Sequence, residues 1–151
     1  MLATNHVLAG AALGHIIGAP LPALAAGLVS HLVMDAIPHW GGNGRNPITH
    51  RTFLRVAKVD GIVLLLVAGM VLYATAPTLR AAVAAGALAA LAPDLDKPWE
   101  YFFGTLTGHR PLYGQRFVRF NTWLQRESPA RWWVEVLTAA VLLAVVTTLL
   151  L

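Results

Sequence analysis

The stretch NHVLAGAALGHIIGAPLPALAAGLVSHLVMDAI, residues 5–37, decides the fold. It holds two apolar runs, Asn5 to Gly18 and Leu21 to Ile37, broken by Ala19-Pro20-Leu21-Pro22. Proline lacks an amide proton and disfavours helix at the residue before it, so the runs read as two helices folded back in a tight hairpin. Whether that hairpin crosses a bilayer fully or re-enters part way, its two ends return to the same side.

Three further apolar runs lie outward from it: Val56 to Tyr73, Leu79 to Ala92 and Trp132 to Leu151. A helix crosses the hydrocarbon layer in about 20 residues, which the third and fifth runs reach comfortably and the others approach. Composition agrees, with 57% hydrophobic and 12% charged residues and a mean hydropathy of +0.63. A water-facing domain needs roughly a quarter of its residues charged, so a soluble globule is excluded. The expectation is an all-α, polytopic membrane bundle of about five segments, one domain over residues 1–151, with a Gly/Arg loop at 41–55 and a longer loop at 97–131. The absence of cysteine excludes disulfides, thiolate metal sites and a thiol nucleophile.

Charge sets the orientation. Arg45, Arg51, Arg55 and Lys58 lie between segments two and three, and Lys97, Arg110, Arg116, Arg119, Arg126 and Arg131 between four and five, leaving only Arg80 of the 11 basic residues on the opposite side. The positive-inside rule then places the N-terminus and both long loops in the cytoplasm, as in a bacterial-type inner membrane. The opening Met1-Leu2-Ala3-Thr4-Asn5-His6 has no Lys or Arg, unlike a cleaved signal peptide. Over Leu112 to Glu127, Phe117, Phe120, Trp123 and Leu124 recur at helical spacing with arginines on other faces, as in an interfacial helix on membrane lipids. Nucleic acid is the rival partner for such a stretch, but no nucleic-acid fold motif accompanies it. Gly41 to Pro47 reads as a flexible linker that could also cradle an anion.

Ionisable groups in apolar segments are costly, so each is a functional candidate. His6 opens segment one, His31 and Asp35 end segment two with His39 after them, Asp60 opens segment three, and Asp94 and Asp96 follow segment four. All fall at the cytoplasmic end, and only His15 lies at the other. His31, Asp35 and His39 are spaced by four, which puts the first two on one helix face. Asp94-Leu95-Asp96 after Pro93 would aim both carboxylates one way if extended. Small residues recur in line with these groups, as His6-Gly10-Gly14-Gly18, Ala23-Gly27-His31-Asp35 and Ala82-Gly86-Ala90-Asp94. Such stripes let helices approach closely in lipid and should draw the groups that end them toward one shared pocket.

Imidazole and carboxylate together hold zinc first, with manganese or iron open. The sequence assigns His6, His31, Asp35, Asp60 and Asp94 as ligands and Asp96 and His39 as the proton-handling groups. Arg51, Arg55 and Arg110 would hold an anionic substrate. That chemistry is metal-assisted hydrolysis of a phosphoester-type amphiphile at the membrane surface.

Ser30-His31-Leu32-Val33-Met34-Asp35-Ala36-Ile37-Pro38-His39-Trp40, the opening Asn5-His6 with Gly10 behind it, and Pro93-Asp94-Leu95-Asp96 together resemble the inner-membrane metal-dependent hydrolase family. The resemblance implies His6, His31, Asp35 and Asp94 as metal ligands, with Asp96 as a further one. It covers the first 40 residues and a short stretch at 93–96. The family's His-Arg-Gly-x-Thr-His-Ser element has no counterpart here, and the His-x-x-x-Asp element precedes Pro-Asp-x-Asp instead of following it.

Plainer roles compete for several of these residues. Asp60 could cap segment three or pair with Arg55 or Lys58, Asp96 could cap a short helix, and His31 with Asp35 could be a simple buried pair. His15, His50, His109 and Glu135 read as structural or solvated, and Trp99, Trp132 and Trp133 as interface anchors. Two other functions stay open at this stage. One is a non-catalytic subunit of a larger membrane complex with a structural metal or polar cluster. The other is a haem or pigment protein with His15 or His31 as axial ligand.

Overall fold

A computed structural model of the chain describes residues 1–42 and 48–151. These residues form seven α-helices: α1 (Ala3–Ile17), α2 (Pro20–Ala36), α3 (His50–Ala74), α4 (Arg80–Leu91), α5 (Asp96–Thr107), α6 (Gln115–Leu124) and α7 (Trp132–Leu150). Short 3₁₀ turns lie at Ala92–Leu95 and Pro129–Arg131. The fold is all-α, and among the described residues there is no strand, only a single parallel bridge between His39 and Glu127.

The hairpin forms as its sequence dictates. Gly18 ends α1 in the left-handed conformation, at φ 69°, and its N–H donates to the Gly14 carbonyl. Pro20 then starts α2 in the first turn, where a missing amide proton does no harm. Helix α4 packs against both arms, and α1 also touches α3 and α7. The seams are the small-residue stripes. A methyl group on Gly10 or on Gly27 would overlap the Gly86 carbonyl oxygen, one on Gly14 the Ala82 carbonyl, and one on Gly86 the Gly10 carbonyl. Three backbones therefore meet where no side chain intervenes, with Leu8, Ala11, Ala12, Val71, Val83 and Val146 forming the apolar core beside them.

Length separates the helices. His50–Ala74, and Pro129–Leu150 with the 3₁₀ turn included, are long and apolar enough to cross a membrane. Helices α1, α2 and α4 have 15, 17 and 12 residues. At 1.5 Å per residue they rise about 22, 25 and 18 Å, short of the ~30 Å hydrocarbon thickness. The long helices show their apolar side chains outward: Ile62, Leu65, Leu66 and Met70 from α3, Val136, Leu137 and Val141 from α7.

Several boundaries differ from the sequence reading. Helix α3 begins at His50 rather than Val56, because Thr49 caps it by accepting from the Thr52 N–H, so residues 50–55 are helical and not loop. The turn at Gly41 to Pro47, with Arg45, falls mainly on residues 43–47, outside the described residues. The 97–131 segment holds a second helix, α5, and the amphipathic α6 stops at Leu124, after which residues 125–128 are extended. Asp94-Leu95-Asp96 is not extended: Asp94 sits in the 3₁₀ turn and Asp96 starts α5, so their carboxylates diverge.

Candidate metal centre

The N-terminal end of α1 meets the C-terminal ends of α2 and α4, and the groups that end their stripes meet with them. His6, His31, Asp35 and His39 are fully buried, and Asp94 is nearly so. The His6 and His31 rings stack with centroids 4.0 Å apart. His6 Nε2 lies 3.2 Å from Asp35 Oδ1 and 3.8 Å from Asp94 Oδ2, and His31 Nε2 lies 3.2 Å from Asp35 Oδ2. His39 Nε2 faces Asp35 Oδ1 at 4.0 Å and Glu127 Oε1 at 3.9 Å.

Tautomers follow from the other ring nitrogens. His31 Nδ1 lies 2.7 Å from the Ala90 carbonyl oxygen and His39 Nδ1 2.8 Å from that of Ile37. A carbonyl can only accept, so each Nδ1 carries the proton and each Nε2 presents a lone pair. Both Nε2 atoms, and both ring nitrogens of His6, are buried without a hydrogen bond among the described residues. Lone pairs of imidazole thus face lone pairs of carboxylate, which a cation among them would satisfy. The spacing suits one: donors about 2.0–2.1 Å from a tetrahedral zinc lie about 3.3 Å from each other. His6, His31 and Asp94 each offer one atom within 4.8 Å of the others, and Asp35 stands closer still to both histidines. The carbonyl-held Nδ1 protons are the outer support that orients metal-binding histidines.

The rim is charged. Lys97 Nζ donates to Asp94 Oδ1 at 2.8 Å from the exposed side. Loss of solvent pulls the Lys97 ammonium down, but Asp94, backed by Asp35 and Glu127, more than offsets this and holds it above its ordinary value. Burial likewise pushes the Asp94 carboxyl up, yet Lys97, His6 and His31 together hold it below the usual carboxylate range. The Met1 amino group donates to Asp35 Oδ1 at 2.8 Å, and Gln125 Nε2 to Asp35 Oδ2 at 3.0 Å.

An extended strap crosses this end. The Arg126 N–H donates to the Asp35 carbonyl, His39 N–H to the Arg126 carbonyl and Ser128 N–H to the His39 carbonyl. Alternate residues of extended chain share a face, so Gln125 and Glu127 turn inward together. Gly41 makes room for them, since a methyl group there would overlap the Glu127 carboxylate.

Of the residues assigned from sequence, the structure brings together His6, His31, Asp35, His39 and Asp94. Asp60 is elsewhere: its carboxylate accepts from the Ala3 N–H at 2.8 Å, the Thr4 N–H at 3.3 Å and the Thr4 hydroxyl at 2.6 Å, capping α1 from the neighbouring α3. Asp96 Oδ1 accepts from the Leu112 N–H at 2.6 Å and fixes the connection before α6. Arg51 and Arg55 stand exposed on the first turns of α3 and Arg110 in the α5–α6 connection, with no hydrogen bond or ion pair to the cluster among the described residues. Lys97, Gln125 and Glu127 were not singled out from sequence. The signal for the last two was the pair Gln125-x-Glu127 just before Pro129, where a helix would be expected to stop. Glu135, read as structural, accepts from the Leu2 N–H and from Asn5 Nδ2. Set against protein-family models, curated proteins and solved structures, the chain matches none.

Proposed function

We propose that this chain is an integral membrane, metal-dependent hydrolase acting on the phosphoester of an anionic amphiphile at the cytoplasmic surface of an inner membrane, of the kind it resembles in sequence. One observation carries the reading: three buried imidazoles direct Nε2 atoms at Asp35, Asp94 and Glu127 with no hydrogen bond among the described residues. His6, His31, Asp35 and Asp94 are the residues that would hold a divalent ion, zinc first, with manganese or iron as substitutes.

When bound, such an ion supplies a Lewis acid that brings the pKa of a coordinated water toward neutrality. His39 faces the cluster beside Glu127 and takes up a proton there. Lys97, an exposed ammonium on the rim, holds the anionic group. Helix α6 keeps Phe120 and Trp123 outward, at 45% and 77% exposure, and carries the exposed Arg116 and Arg119, which suits a headgroup surface and an amphiphile that stays in the membrane. Helices α3 and α7 span, while α1, α2 and α4 make the shorter segments around the centre.

Metal analysis of the detergent-purified chain tests this. Wild-type protein carries a transition metal, His31→Ala and Asp35→Ala carry none, and only the wild type hydrolyses a phosphoester amphiphile. Metal-free wild type overturns the reading. A structural ion in a non-catalytic subunit is the second reading, favoured by the full burial of His6, His31 and Asp35. Metal binding without hydrolysis selects it.

A further inference from the structure

Four donors, His6, His31, Asp35 and Asp94, suffice for one ion, and His39 and Glu127 stand beside them. His39 is fully buried, its Nδ1 proton is held by the Ile37 carbonyl, and its Nε2 has no hydrogen bond among the described residues. It faces two carboxylate oxygens, Asp35 Oδ1 at 4.0 Å and Glu127 Oε1 at 3.9 Å. The chain is shaped to keep it so. The parallel bridge to Glu127 fixes the backbone on both sides of His39, and Gly41 admits the Glu127 carboxylate where any side chain would clash. Asp35 belongs to both donor sets, since Oδ2 faces His31 at 3.2 Å while Oδ1 lies 3.2 Å from His6 and also faces His39.

We infer that the centre is dinuclear, with a second divalent ion held by His39 and Glu127 and bridged to the first through the Asp35 carboxylate. This rests on the first-ion reading above, and it makes His39 a ligand where a one-ion site made it the proton acceptor. The second ion displaces the contact between Asp35 Oδ1 and the Met1 amino group. Ions bridged in this way would stand about 3.5–4 Å apart and could clamp the attacking and leaving oxygens of an in-line displacement, which suits the phosphoester proposed above.

The full chain, purified in detergent, stripped with chelator and reloaded with Zn²⁺, reads this out by elemental analysis. Wild type holds about two ions per chain, and His39→Ala and Glu127→Gln each hold about one with unchanged circular dichroism. Loaded with Mn²⁺, wild type gives an exchange-coupled paramagnetic resonance spectrum and Glu127→Gln, the variant of least structural disturbance, the six-line spectrum of an isolated ion. One ion in wild type that survives His39→Ala overturns the dinuclear centre and leaves the single-ion hydrolase standing. Two ions retained in both variants also overturns it. No bound ion in wild type overturns the reading beneath it.

Discussion

The short helices α1, α2 and α4 and the long helices α3 and α7 draw on the same apolar residues and use them oppositely. Helix α1 buries ten of its 15 residues, whereas α3 buries Val71 alone of 25. Glycines make the contrast concrete. Gly10, Gly27 and Gly86 touch neighbouring backbone, while a Cβ on Gly61 or Gly69 of α3 would meet nothing within 4 Å. The short helices gain their cohesion from close backbone approach and end in the buried His and Asp cluster. The long ones present smooth apolar flanks and contribute anchors, such as Asp60 and Glu135, to the first turn of α1. Functional groups thus gather where helices are too short to leave a uniform apolar shell.

Substitutions that treat the two classes alike should break the comparison. Gly86→Leu, forced against the α1 backbone, is expected to cost about 3 kcal/mol or more, and Gly69→Leu no loss, by thermal melting in detergent. Comparable losses in both would mean that the seam is not the source of cohesion. Next in size is metal. Holding zinc at a thousand times its dissociation constant stabilises by about 4 kcal/mol, so chelation should lower the melting temperature of wild type and of His15→Ala, whose ring lies at the opposite end of α1, but not of His31→Ala.

Asp60→Ala should cost about 1–2 kcal/mol through lost capping and leave metal content unchanged. Loss of metal in that variant would return Asp60 to the ligand set. Gly69→Ala is the smallest effect, a gain of about 0.5–1 kcal/mol from helix propensity alone, where the same change at Gly86 destabilises.

The ends of the stripes were legible because spacing by four is a local property of a helix: His6, His31, Asp35 and Asp94 could be placed on faces before any packing was known. Asp60 could not, since its partner is the first turn of a helix more than 50 residues away, and its spare oxygens looked like those of any ligand. The role of Asp96 was hidden for a similar reason, because the 3₁₀ turn after Pro93 rotates it away from Asp94. Glu127 and Gln125 reach the centre only because residues 125–128 leave the α6 helix and pair with the end of α2, a choice set by tertiary hydrogen bonds rather than by pattern. The five apolar runs were legible as helices, of which His50–Ala74 and Pro129–Leu150 have the length to cross a membrane.

Gly86 of α4 stands about two turns before Asp94, and its carbonyl oxygen lies against both Gly10 and Gly27. A slip of α4 by one residue would carry the Asp94 carboxylate about 1.5 Å, most of the length of an oxygen–zinc bond of about 2 Å. The interlocked glycines therefore act as a gauge block: from two turns away they set how far apart His6, His31 and Asp94 stand, and so which ionic radius the cluster could accept.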